Sequence, residues 1–142
     1  MSKHHFFKNL VIIVASTSIS AIALASPNRG DLSGTYSCTG QDSHDGKYAA
    51  TATINMDKKN SNANADAYNF KLKENSSGDT YNGFAISDGQ KMSIYFANDT
   101  SKNDYGIGIA TIAKNGKGFK KFYYEPKYTE SGNTGWENCL KK

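Results

Sequence analysis

Along most of this chain apolar and polar residues alternate one for one. In AYNFKLKE, Tyr68, Phe70 and Leu72 share one face while Asn69, Lys71 and Lys73 share the other. A period of two marks a strand with one buried face. KMSIYFAN groups Met92, Ile94 and Phe96 in the same way, and YGIGIAT groups Tyr105, Ile107 and Ile109. KYAATATINM lines up Tyr48, Ala50, Ala52, Ile54 and Met56. Beyond residue 25 no segment has a helical period of useful length.

Turn dipeptides say which strands pair. Asp45-Gly46, Asp88-Gly89 and Asn115-Gly116 each lie between two alternating runs, and such pairs accept the positive φ values of tight hairpins. The other connectors, among them DKKNSNANAD, ENSSGD, NDTSKND and PKYTESGNTG, are polar and short. Eight strands follow, over about residues 34–40, 47–56, 67–74, 80–87, 91–98, 105–113, 118–125 and 135–141. No connection has room for a crossover helix, so the strands run as an antiparallel meander. Closing that meander removes its two open edges, and eight strands suit a small closed barrel. The expected fold is therefore all-β, a single closed eight-stranded barrel.

Closure makes the first and last strands neighbours. Cys38 and Cys139 are the only cysteines, and a disulfide between them would staple that seam. A closed loop of this length contributes roughly 4–5 kcal/mol on the chain-entropy account. Trp136 and Leu140 are expected to fill the core beside the staple. The parity of the last strand conflicts with this, because Cys139 falls in step with Glu137 and Lys141, not with Trp136. Either a bulge near Gly40 or Asn138 shifts the register, or the first strand faces the other way.

The first 25 residues have a separate character. Lys3 and Lys8 precede an apolar stretch from Leu10, and Ala23-Leu24-Ala25 has the small-x-small pattern of a cleavage site. Ser16, Thr17, Ser18 and Ser20 interrupt the stretch too often for a membrane span. Export with cleavage near Ala25 leaves residues 26–142 as one barrel domain, periplasmic or secreted. An oxidising compartment agrees with a disulfide.

Charge changes the picture only slightly. Without Lys3 and Lys8 the chain has 15 basic against 13 acidic residues, too nearly balanced for a nucleic-acid binder. Residues 114–142 hold seven lysines against three glutamates, whereas 31–113 is net acidic. The stretch FKKFYYEPKY interleaves aromatics with Lys120, Lys121 and Lys127. Placed at a barrel rim, it suits an anionic ligand or an acidic protein surface. Gly106 and Gly108 lack the third glycine and following helix of a dinucleotide loop, and instead mark a barrel bend, room for a facing aromatic, or space for a ligand. These observations nominate Gly106, Gly108, Lys120, Lys121, Phe122, Tyr124 and Trp136 as ligand-binding residues.

His44 in QDSHDG is the only histidine beyond the leader, and its neighbours miss the spacing of a calcium loop. No nucleophile has an evident activating partner. The expectation is a non-enzymatic, monomeric binder of a small ligand or a protein, with no cofactor, no metal and no membrane span.

Two resemblances add to this reading. GTYSC, YGIGIAT and GWENC make the chain similar to small exported bacterial barrels of the calycin type. That likeness implies a ligand or partner held at the barrel mouth. More locally, Tyr36-Ser37-Cys38, the late Cys139 and Ser77-Gly78-Asp79-Thr80-Tyr81 resemble the periplasmic inhibitors of C-type lysozyme. In that family a Ser-Gly-x-x-Tyr loop enters the lysozyme cleft, so the alternative function is inhibition through Ser77, Gly78 and Tyr81.

Overall fold

Eight strands form where the alternation puts them, in a computed structural model that describes residues 29–142. They are β1 (Gly34–Asp42), β2 (Gly46–Met56), β3 (Asp66–Glu74), β4 (Thr80–Ser87), β5 (Lys91–Asn98), β6 (Tyr105–Ile112), β7 (Gly118–Glu125) and β8 (Asn133–Lys141). Each strand pairs antiparallel with the next, and β8 returns to β1 to close the barrel. The leader expected over residues 1–25 lies outside the described residues.

The three hairpin glycines, Gly46, Gly89 and Gly116, all have positive φ, as their turns require. The strand interiors use glycine differently. A side chain at Gly40 would collide with the Tyr48 ring, and one at Gly135 with the Tyr123 ring. The barrel thus accommodates its inner aromatics by leaving the facing positions bare.

The inner surface divides into two halves. At one end Tyr36, Ile54, Tyr68 and Met92 are fully buried, and Tyr36 packs on Phe119 at 5.2 Å between ring centroids. The segment before β1 plugs this end. Leu32 is buried there and its carbonyl accepts the Tyr36 hydroxyl at 2.6 Å, while Arg29 pairs with Asp66 at 3.1 Å. The opposite end, bordered by residues 43–45, 75–79, 99–104 and 126–132, stays open.

Cys38 and Cys139 are direct cross-strand partners joined by a disulfide. Neither a bulge nor a reversed β1 was needed, because the error lay in the tryptophan. With both cysteines inside, period two sends Gly135 and Glu137 inward and Trp136 and Leu140 outward. Trp136 is 62% exposed and Leu140 is 59% exposed, so neither fills the core. Trp136 lies on the outer wall against Phe122, with ring centroids 4.8 Å apart.

Candidate functional site

The chemistry of the interior is set by one ladder. On the inner face of β7 and β8 the cross-strand partners are Phe119 with Cys139, Lys121 with Glu137, Tyr123 with Gly135 and Glu125 with Asn133. Read from the plugged end to the open end, that sequence passes from apolar to ionic to polar. Above the disulfide it borders a cavity of about 180 Å³.

Lys121 and Glu137 form an ion pair at 2.8 Å, with only 2% and 4% of their surfaces exposed. Each has further support. The Tyr48 hydroxyl donates to Glu137 at 2.6 Å. The Lys121 ammonium lies 4.8 Å from the Phe96 ring centroid, 5.1 Å from that of Tyr123 and 5.4 Å from that of Phe70. A buried pair is tolerated only when its partners are this complete.

Towards the opening come Asp42, Glu125 and Asp104, none of which forms an ion pair among the described residues. Asp42, the last residue of β1, accepts from Tyr123 at 2.7 Å, from Asn133 at 2.8 Å and from the backbone amides of His44 and Asp45. Burial works against its charge, but those donors together outweigh it and hold the carboxyl below its ordinary value. Glu125 is 6% exposed and accepts from Asn133 at 2.7 Å through one oxygen. Burial pushes it up to about 7; Asp104 and Asp42 reinforce that shift, while Asn133 and Lys121 oppose it. Asp104 is also raised by burial, despite bonds from Asn98 at 2.8 Å and Tyr81 at 3.0 Å. The hydroxyls of Tyr48, Tyr81 and Tyr123 are shifted upward, first by burial, and serve as donors.

The residues nominated from sequence separate cleanly. Gly106, Gly108 and Lys121 face inward. The β6 face expected to be buried, Tyr105, Ile107 and Ile109, is therefore the outer one, because the inner positions opposite the large side chains of β5 and β7 are kept small. A side chain at Gly106 would meet Phe96 and Glu125, and one at Gly108 would meet Lys121. Their small size therefore makes room for a facing aromatic and for the buried ions. Lys120, Phe122, Tyr124 and Trp136 point outward and do not line the cavity. The basic aromatic stretch expected for an anionic ligand is split: Lys120 points outward, Lys121 is neutralised by Glu137, and exposed Lys127 and the cavity-lining Tyr128 lie in the loop at the opening.

Sequence reading passed over Asp42, Tyr48, Phe96, Tyr123, Glu125 and Glu137, all of which line the cavity. Alternation already put Tyr48 and Phe96 on buried faces, and the parity of Cys139 puts Glu137 on the inner face.

The Ser77–Tyr81 segment lies at the open end. Ser77 and Gly78 are exposed, and the Ser77 hydroxyl donates to Glu74 at 2.9 Å. Tyr81 is turned into the barrel towards Asp104 and lines the cavity, so it does not project with the loop. His44 occupies the neighbouring exposed turn, bonded to Asp45 at 2.8 Å. The two cysteine sulfurs lie close to Glu137 but are bonded to each other, which removes them as thiolate ligands.

No family model matches the chain, and no curated protein matches it. A solved structure of EF1p2_mFAP2b bound to DFHBI aligns with a TM-score of 0.54 and 12% identity, over 78% of this chain and 94% of that chain. The likeness is one of fold: both are β-barrels. Among the described residues no helix is long and apolar enough to cross a membrane.

Proposed function

We propose that this protein is a non-enzymatic binding barrel that holds a small ligand in the cavity at its open end. The observation behind the reading is the cavity itself, walled by aromatic rings and preorganised polar groups above a packed, disulfide-closed base. Concave sites with apolar walls and a few fixed polar groups are the usual form of ligand pockets. The bound ligand in EF1p2_mFAP2b offers a precedent for a barrel of this general shape holding a small molecule. The likeness to exported calycin-type barrels points the same way, and the disulfide suits a periplasmic or secreted location.

Native mass spectrometry of protein purified from its own host tests the reading. A retained small molecule that is lost on Tyr123→Ala, with the barrel still folded, supports it. Protein that stays ligand-free and fails to retain any member of a broad small-molecule library overturns it.

Lysozyme inhibition keeps one supporting observation, the exposure of Ser77 and Gly78 at the open end. Glu74 and Asp79 flank them, and these carboxylates would face the acidic cleft of a glycosidase. A cell-wall turbidity assay separates the two readings. Inhibition that disappears on Ser77→Arg would favour the inhibitor.

A further inference from the structure

The cavity is lined by five carboxylates and two lysines. Most of these charges are already answered. Lys121 belongs to Glu137, and Asp42 is surrounded by donors. Asp45 accepts from Tyr128 at 2.6 Å, and Glu74 accepts from Ser76 and Ser77. Glu125 is the buried exception; Lys47, the second lining lysine, is exposed and forms no ion pair among the described residues. Glu125 is nine-tenths buried and lines the cavity, yet only one of its oxygens has a hydrogen-bond partner among the described residues, and that partner is a neutral amide. No lysine or arginine forms an ion pair with it among the described residues.

The second oxygen of Glu125 keeps access to the cavity, so water or a ligand there can complete it. Aromatic rings stand close by: Phe96 packs edge-on to both Tyr81 and Tyr123, at 5.9 Å in each case. The barrel already stabilises one ammonium, that of Lys121, on these same aromatic faces. A carboxylate beside aromatic walls is the pairing that recognises organic cations.

We propose that the cavity selects a small organic cation, an amine or quaternary ammonium on a compact apolar body, with Glu125 as its counter-ion. This deepens the reading of the cavity as a binding site and rests on it. The size agrees, since about 150 Å³ is enough to hold benzene in an apolar cavity. An anion entering the same space meets the buried carboxylates of Glu125 and Asp42, with the exposed Lys47 as the one lining cation left unpaired among the described residues.

Charge on Glu125 controls the affinity. The ionisable groups facing it are Asp42 from β1, Tyr81 from β4, Asp104 from the segment before β6, Lys121 and Tyr123 from β7, and Tyr128 from the following loop. The tyrosines stay protonated, and Asp42 stays charged, over the range in which Glu125 loses its proton at about 7. Cation binding therefore strengthens as pH rises through that range and releases a proton near its middle.

The test is calorimetric titration of the disulfide-intact protein with three probes of one shape: benzyltrimethylammonium, benzyl alcohol and benzoate. The ammonium probe does not titrate, so any pH dependence belongs to the protein. It is expected to bind at least about tenfold more tightly than the alcohol near pH 8, to weaken at least about tenfold near pH 5.5, and to exclude benzoate. Glu125→Gln keeps an acceptor for Asn133 and removes the charge. It should weaken the ammonium about tenfold and leave the alcohol unchanged. Equal binding of alcohol and ammonium, or ammonium affinity independent of pH in the unmodified protein, overturns the cation assignment while the binding cavity stands. Failure of all three probes at millimolar concentration overturns both. The pH comparison needs no variant, so it decides the matter even if Glu125→Gln does not fold.

Discussion

The two ends of this barrel are built by one rule and put to opposite uses. At the plugged end, inner positions hold Tyr36, Ile54, Tyr68, Met92 and Phe119. Towards the open end, inner positions of β1, β2, β7 and β8 hold Asp42, Tyr48, Glu125, Asn133 and Glu137. Burial is equally complete for most of these, but its consequences differ. Each apolar group removed from water stabilises the fold, whereas each carboxylate costs stability unless donors surround it. The plugged end can therefore be close-packed, while the open end must be organised bond by bond. Stability is concentrated in one half, and recognition falls to the other.

The largest expected effect comes from the disulfide that joins β1 to β8. Replacing Cys38 and Cys139 together by alanine should lower stability by about 4–5 kcal/mol, measured by urea unfolding. A loss below about 1 kcal/mol would mean that the plugged end holds the β1–β8 seam without its cross-link.

Next in size is the ion pair. Lys121→Met leaves Glu137 buried without its counter-ion and should cost about 3–5 kcal/mol. Adding Glu137→Leu should recover most of that loss, because the pair would then be replaced by apolar groups of similar volume. Failure of the second change to rescue the first would show that Lys121 acts through packing on Phe96 and Tyr123 and not through its charge.

A smaller effect follows from Glu125. Its folded-state value of about 7 exceeds the ordinary 4.5, so the folded barrel binds this proton more tightly than the unfolded chain does. Its contribution is thus most favourable below about 4.5 and is lost progressively as pH rises to about 7. Asp42, held below its ordinary value, acts in reverse and loses its contribution as pH falls. Glu125→Gln should flatten the decline between about 4.5 and 7 in unfolding curves taken across pH. An unchanged slope would place the unfavourable charge elsewhere at the open end.

The smallest effect concerns the outer wall. Trp136→Ala should change stability by less than about 1.5 kcal/mol, the scale of its stacking on Phe122. Trp136 emission should stay unchanged when a ligand fills the cavity, since the ring lies on the other side of β8. A ligand-dependent shift would move the binding site to the outside.

Alternation and turn chemistry were enough to specify the strands, their number and their meander order, because each is a local property. Asp45-Gly46, Asp88-Gly89 and Asn115-Gly116 fold back the chain whatever lies opposite. The face that each strand buries was equally legible in β2, β3 and β5, where only one face is apolar. It was not legible in β7. Phe119 and Tyr123 alternate with Phe122 and Tyr124, so both faces look suited to a core. In β8, Trp136 and Leu140 look more core-like than Glu137, and hydrophobicity alone picked the wrong face.

Closure of the barrel resolved that ambiguity. Pairing Cys38 with Cys139 sets the register of β8 on β1, and the ladder from β8 to β7 then turns Lys121, Tyr123 and Glu125 inward. A one-residue change in such a register exchanges the two faces of a strand. The acidic cavity is a consequence of long-range pairing between the ends of the chain. Local pattern specifies the strands, but their placement in a closed barrel decides which polar side chains meet inside it.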